Sequence, residues 1–142
     1  MKEIPNYLSE DIMNGCVKKE VVMTEKAKAI GPYSLGIKVG DFVFCSGQAG
    51  VDQATGKLVE GGIGEATKQC VANVRALLES HGARLDQVVK TTVFLTDMAD
   101  YPAMNDAYLQ AFAGHRPARS AVAVAALPLG ARVEIEAWAF VG

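Results

Sequence analysis

The sequence predicts an α+β two-layer sandwich in which two helices cover one face of a mixed sheet. First, 142 residues, half of them hydrophobic, suit one domain with a single core. Second, segments typical of strands and helices follow one another in the order βββαβαββ. Third, two helices can cover only one face of such a sheet, so we expect the other face to pack against something else.

The chain begins with a segment unlike the rest. Residues 1–18 combine charged residues, Pro5 and asparagines without periodicity, which predicts an N-terminal arm followed by a domain over 19–142. Acidic residues interrupt the stretch where a secretory signal needs an unbroken apolar run. We therefore expect no export.

Three short strands are expected at the start of the domain. Residues 21–22, 35–39 and 42–46 are rich in the β-branched and aromatic residues that favour strands. Gly40 and Asp41 predict a tight turn between the last two strands, which makes them a hairpin.

Two helices and one strand fill the middle of the domain. Apolar residues recur at helical spacing over about 64–81, and Gly82 then provides a C-terminal stop. Residues 88–96 are β-branched on both faces, which predicts a strand buried on both sides or nearly so. A second helix is predicted from a cap at Asp100 to Gly114. Its apolar face is formed by Met104, Tyr108, Ala111 and Phe112.

The last two strands are predicted at 119–126 and 131–141. We expect the loop between them to close a hairpin in which Ala126 faces Ala131.

The final strand alternates between two kinds of side chain. One face is aliphatic, and the other changes from charge at Glu134 and Glu136 to aromatic character at Trp138 and Phe140. Exposed aromatic residues on a bare sheet form a costly apolar patch. We infer that a partner subunit covers it.

The expected hairpin register places Arg119 opposite Trp138 and on the same face as Glu134. Otherwise this part of the face carries only alanines, Ala121 among them, so charge and free space lie side by side. A small anionic ligand would suit this surface. The alternative is an ordinary cross-strand pair of arginine and glutamate on a solvated face, which spacing alone favours.

Single polar residues elsewhere carry weaker signals. Tyr33 follows a Gly-Pro turn, and its ring either rests on the core or lines a cleft. Ser46 and Gly47 end a strand, where a glycine marks either a bend or the close approach of a ligand. Asn105 on the second helix faces either solvent or a cleft.

Neither a disulfide framework nor a metal site is indicated. The cysteines form no C-x-x-C pair, and His81 and His115 are isolated. We expect Cys45 and Cys70 to be buried hydrophobic residues rather than nucleophiles. Fourteen basic against sixteen acidic residues give a net charge of -2, which offers no general attraction for nucleic acid. No apolar run is long enough to span a membrane. The odd number of cysteines and their spacing favour a reduced, cytoplasmic protein.

Six segments together resemble the Rid/YjgF family of reactive intermediate deaminases. Six motifs in the family's order and approximate spacing, across residues 20–142, are far more specific than any one of them. The segments are TEKAKAIGPYS at 24–34, CSGQ at 45–48, VVKTTVFLTDM at 88–98, MNDAY at 104–108, RPARS at 116–120 and VEIEAWA at 133–139.

The resemblance implies a chorismate-mutase-like fold and a homotrimer with active sites between subunits. It also implies hydrolysis of 2-imino acids to 2-keto acids and ammonia, without a metal or organic cofactor. By that resemblance Arg119 binds the substrate carboxylate, and Glu134 orients and activates water. The matching substrate-binding positions are Tyr33, Ser46, Gly47 and Asn105.

The chain departs from the family at Ala121, where many relatives have a cysteine, so the cleft should be slightly larger and less polar there. Proteins of this family have also been described as translation inhibitors, nucleases or chaperone-like proteins. A non-catalytic metabolite-binding, chaperone-like or translation-inhibiting role is therefore the alternative. An enzyme would accelerate ammonia release from an imino acid, whereas a sensor would bind keto or amino acids without turnover.

Overall fold

Residues 18–24 and 27–142 are described by a computed structural model, in which two helices pack on one face of a six-stranded sheet. The arm predicted over 1–18 lies outside the described residues apart from Lys18. The elements are β1 (Lys19–Val22), β2 (Gly36–Val39), β3 (Phe42–Ala49), β4 (Val51–Asp52), β5 (Lys57–Leu58), α1 (Ile63–Glu79), β6 (Val88–Leu95), α2 (Tyr101–Ala111), β7 (Ala118–Ala123) and β8 (Val133–Phe140).

The predicted fold class is confirmed, and β4 and β5 add a small separate hairpin. The main sheet has the strand order β1-β2-β3-β8-β6-β7, with β6 and β7 parallel and the other neighbours antiparallel. We call the face covered by α1 and α2 the helix face and the opposite one the open face. The core lies on the helix face, where fully buried side chains include Val43, Val74, Leu77, Leu78, Val93, Leu95 and Ile135.

Two local predictions hold in detail. Val39 pairs with Phe42 across the turn at Gly40, whose φ of 56° suits a residue without a Cβ. Helix α1 stops before Gly82, which has a φ of 73° and allows Ala83 N to donate to Leu78 O at 2.9 Å.

Asp100 occupies the predicted N-cap position of α2, but its side chain does not cap the helix. Asp97 does the capping one turn earlier, where its carboxylate accepts from Ala99 N at 2.9 Å at the start of a 3-10 turn over Met98–Asp100. Asp100 has helical backbone angles and makes no cap hydrogen bond. Its carboxylate instead accepts from Arg132 Nη2 at 2.6 Å, because the loop before β8 passes beside the helix start.

Strand β6 is buried on one face only within a single copy. Thr91, Val93 and Leu95 point into the core, whereas Phe94 is half-buried and Val89 is exposed. Its second side, which carries Lys90, Thr92 and Phe94, belongs to the open face, which no helix covers.

The predicted β7–β8 hairpin is also wrong. Strand β8 lies between β3 and β6, and β7 pairs in parallel with β6 at the edge of the sheet. Residues 124–132 therefore form a connection rather than a hairpin turn, with a tight turn at Pro128–Gly130 in which Leu129 has a positive φ. Arg119 is in register with Thr91 and not with Trp138.

The open face carries an aromatic patch formed by Phe42, Phe44, Trp138 and Phe140. Ring centroids of Phe44 and Trp138 are 5.5 Å apart, and those of Phe42 and Phe140 are 5.1 Å apart. Trp138 is 44% exposed and Phe140 42% exposed in the single copy. The predicted exposure of these two side chains is therefore confirmed.

Candidate active site

An open cleft lies at the end of the open face, where the bend before β2 meets β3 and β8. We call it the carboxylate cleft. It is lined by Ile30, Tyr33, Ser46, Gly47, Pro128, Glu134 and Glu136. Four of the predicted site residues, Tyr33, Ser46, Gly47 and Glu134, are thus brought together within one copy.

A β-bulge gives the cleft its floor. Cys45 pairs with Ala137 but Gln48 pairs with Ile135, so β3 has one residue more than β8 at Ser46–Gly47. Ser46 Oγ donates to Ser34 O at 2.6 Å and Ser46 N to Leu35 O at 2.9 Å, which ties the bulge to the preceding segment.

Gly47 leaves space that Glu134 occupies. A Cβ at this position would overlap Oε1 of Glu134 and lie 2.8 Å from its Cδ. The glycine is therefore required for the close approach of a side chain, and the strand bend accompanies it. The sequence left open whether Gly47 marks a strand bend or the close approach of a ligand. The structure has both a bend and a close approach, and the approaching group is the Glu134 carboxylate of the same chain.

The carboxyl group of Glu134 is partly withdrawn from water. Burial raises its pKa above the ordinary value, and the negative charge of Glu136 two residues along the strand raises it further. A carboxylate with a raised pKa is a stronger proton acceptor than a fully solvated one.

Tyr33 lines the cleft instead of resting on the core. Its side chain is 46% exposed, and its N donates to Gly31 O at 2.9 Å in the predicted Gly-Pro turn. A Cβ on Gly31 would lie 3.2 Å from Tyr33 Cε1, so the ring folds back over the glycine.

Arg119 lies on the other side of the sheet, on edge strand β7. Its guanidinium rests on what we call the guanidinium platform, formed by Tyr101, Met104 and Tyr108 of α2. Nη2 donates to Tyr101 Oη at 3.1 Å, and Nη1 lies 3.8 Å from Met104 Sδ. The centre of the guanidinium is 4.9 Å from the centroid of the Tyr108 ring, a cation–π arrangement.

A buried hydrogen bond between Thr91 and Tyr108 fixes the position of the platform. Thr91 Oγ1 and Tyr108 Oη share a hydrogen bond of 2.6 Å, and both residues are buried. Burial raises the pKa of Tyr108, so its phenol stays neutral beneath the cation. Within residues 18–24 and 27–142 Arg119 forms no ion pair, which leaves part of its donor fork available.

Asn105 and Ala121 accompany Arg119 rather than Glu134. Asn105 follows Met104 on α2, and its buried Oδ1 has no hydrogen-bond partner in the described part of the chain. Ala121 is in register with Val93 and packs against the core, on the same face as Arg119.

The predicted shared face of Arg119 and Glu134 is wrong. Arg119 follows Thr91 onto the helix face, whereas Glu134 is in register with Phe94 and lies on the open face. The alternative of a cross-strand ion pair between them fails for the same reason. One copy therefore holds two separate groups, a carboxylate cleft and an arginine on a platform.

The cysteine prediction holds for the two cysteines that are described. Burial raises the pKa of both the Cys45 and the Cys70 thiol to about 12, so neither is a thiolate near neutral pH. His115 bonds to Val88 O at 2.7 Å, and His81 to Ser80 Oγ at 3.0 Å.

The described residues contain neither a metal-ligand cluster nor a membrane-spanning helix. In 18–24 and 27–142, no three histidines, cysteines or acidic residues are grouped as metal ligands would be. None of the helices described has both the length and the apolar character needed to cross a bilayer.

Sequence reasoning missed Tyr101 and Leu129. Tyr101 belongs to the stripe 101, 104, 105 and 108 on α2, so helical spacing from Met104 could have identified it. Leu129 lines an extension of the carboxylate cleft, and a large apolar residue before Gly130 in a loop was its only signal.

A family model described as Endoribonuclease L-PSP matches residues 23–141. The RutC family protein of Pyrococcus abyssi is 50% identical over 123 residues, which cover 86% of this chain and 97% of that protein. The 2-iminobutanoate/2-iminopropanoate deaminase of Mus musculus is 45% identical over 130 residues, covering 92% and 96%.

A solved structure agrees with these relatives. The crystal structure of the YjgF gene product from E. coli superposes with a TM-score of 0.81 at 38% identity, covering 85% of this chain and 98% of that one. The family match over 23–141 includes both helices and both groups of site residues.

Proposed function

Because the chain belongs to the Rid/YjgF family, we propose that it hydrolyses 2-imino acids to 2-keto acids and ammonia in clefts shared between copies of a homotrimer. The observation that carries the proposal is the separation of Arg119 and Glu134 on opposite faces of one sheet. Within one copy the anion anchor and the water-binding carboxylate lie apart, and a cleft between two copies can bring them together.

Symmetry supports this assembly. The open face exposes Trp138 and Phe140, whereas Arg119 lies on the edge strand β7. A contact that joins one patch of a copy to a different patch of the next is heterologous, and such contacts form a closed ring when the rotation between copies closes. We infer that the carboxylate cleft of one copy receives Arg119 from its neighbour.

Arg119 would hold the substrate carboxylate. A guanidinium presents a planar fork that makes two parallel, charge-assisted hydrogen bonds to a carboxylate. Tyr101 and Met104 occupy one Nη each and the ring of Tyr108 lies against the guanidinium, so its orientation is set before substrate binds.

Glu134 would activate the water. Water adds to the imine carbon and gives one proton to the carboxylate, so that a carbon–oxygen bond forms as the carbon–nitrogen π bond is lost. Glu134 then returns that proton to nitrogen. The nitrogen is then an amino group. Glu134 next takes the hydroxyl proton and delivers it to this nitrogen, so the carbon–nitrogen bond breaks, ammonia leaves and the keto group forms. The raised pKa of Glu134 suits both the uptake and the return of protons.

The test uses imino acids generated in solution by an amino-acid oxidase, with the 2-keto acid and ammonia measured against the uncatalysed rate. The proposal predicts acceleration by the wild-type protein and a fall in kcat/KM of at least about tenfold for Arg119→Lys, because an ammonium cannot reproduce the fork. Binding of keto or amino acids with no acceleration would favour the alternative, a metabolite-binding protein.

A further inference from the structure

We propose that Leu129 is a specificity-determining residue that selects 2-imino acids with an aliphatic side chain larger than methyl. The inference rests on the proposed function and adds the substrate class to it. It is carried by a strained backbone, an exposed side chain and the position of both beside Glu134.

The carboxylate cleft continues into an extension with a volume of about 390 Å³, whose lining is mostly apolar but includes Lys28, Gln48 and Gln53. Glu134, Gly47 and Tyr33 line both parts, so the water-binding carboxylate and the extension open onto the same space. The rim of the extension is an apolar lip formed by Ile30, Pro128 and Leu129. Ile30 is 66% exposed and Leu129 58% exposed in the single copy.

Leu129 adopts a backbone conformation that leucine disfavours. Its φ is 63° and its ψ is 10°, in the left-handed region where a Cβ crowds the following carbonyl. The next residue, Gly130, has a φ of 71° and takes the same region without strain. Glycine or asparagine at 129 would fit this backbone better than leucine does.

Core packing does not offset this strain within one copy, because more than half of the Leu129 side chain is exposed. Strained residues of this kind cluster at functional sites. On the lip, Leu129 provides an apolar surface that contacts a substrate side chain while the reacting carbon faces Glu134. This contact is the functional reason for keeping a strained leucine at this position. Each methylene buried in such a pocket is worth a factor of about ten or more in specificity.

The chain offers a matched control. Ala113, after the end of α2, is the other described non-glycine residue with a positive φ, at 51°. It is exposed and does not line the carboxylate cleft or its extension. Replacing either residue with glycine relieves the same kind of strain, but only one replacement removes part of the lip.

The experiment compares Leu129→Gly, Leu129→Asn, Ala113→Gly and the wild type. The probes are 2-iminopropanoate and 2-imino-4-methylpentanoate, generated by an amino-acid oxidase from alanine and leucine. We expect both Leu129 variants to lower kcat/KM for the leucine-derived imine about tenfold and for the alanine-derived imine less than about twofold. We expect Ala113→Gly to change neither, and both glycine variants to raise Tm by about 2–4 °C.

The outcomes are separable. If the wild type hydrolyses both imines and the Leu129 variants keep the wild-type ratio, this inference fails and the proposed function stands. Equal losses on both imines, or a changed oligomeric state, assign Leu129 to loop shape or subunit contact and also overturn it. If the wild type hydrolyses neither imine, both the proposed function and this inference fail.

Discussion

Replacement of Gly47 by alanine tests whether the position of the Glu134 carboxylate controls the reaction. The new Cβ would lie 2.8 Å from Glu134 Cδ and 3.0 Å from its Cγ, and it would overlap Oε1. Since carbon atoms in contact are separated by about 3.4 Å or more, the carboxyl carbon must move by about 0.6 Å and its oxygen by more.

A displacement approaching 1 Å at a catalytic group costs about 100-fold in rate, or about 2.7 kcal/mol of barrier. We therefore expect Gly47→Ala to lower kcat about 100-fold. KM should change little, because Arg119, which would hold the substrate carboxylate, is not displaced. The backbone tolerates alanine, since Gly47 does not have a positive φ. Folding should survive.

The assay is steady-state hydrolysis of 2-iminopropanoate, with Tm measured on the same samples. Gly64→Ala is the matched control, because Gly64 lies in α1 and a Cβ there meets open space. Its activity should be unchanged and its Tm equal or higher, as alanine favours helix. Wild-type kcat in Gly47→Ala would refute the role given to Glu134.

Three further predictions address the pKa, the assembly and the platform. Glu136→Gln removes a charge that raises the pKa of Glu134, so the acid limb of the kcat/KM profile should move to lower pH, and an unmoved limb would contradict the assignment. Trp138→Lys places a charge in the aromatic patch, so sedimentation should show loss of the trimer together with loss of hydrolysis; an active monomer would rule out the shared cleft. Thr91→Val leaves the Tyr108 hydroxyl without its partner, and urea unfolding should show a free energy of unfolding lower by about 1–2 kcal/mol. An unchanged free energy of unfolding would mean that water replaces Thr91 as the hydrogen-bond partner of the Tyr108 hydroxyl.

Local patterns in the sequence were sufficient for most of the fold. The period of two along β8 correctly separates Ile135 from Trp138, because side-chain alternation depends only on the strand itself. The stop at Gly82 and the turn at Gly40 are equally local. The side-chain cap at Asp100 failed because Asp97, three residues earlier, competes for the same role.

The relation between Arg119 and Glu134 was not accessible to local reasoning. Their faces depend on which strands pair, and β8 pairs with β3, some ninety residues earlier in the chain. One signal pointed the right way. A strand, a helix and a strand in succession, as in β6-α2-β7, favour a parallel crossover over a hairpin, and parallel pairing puts Arg119 beside Thr91.

The most direct test of the central claim is to combine two impaired variants in one assembly. Arg119→Lys and Glu134→Gln, co-expressed with different affinity tags, give mixed trimers that can be purified and verified. If each cleft takes Arg119 from one copy and Glu134 from the next, every mixed trimer has one intact cleft of three, and an unselected equimolar mixture recovers about one quarter of the wild-type rate. Verified mixed trimers with no more activity than the two parent variants would contradict the account.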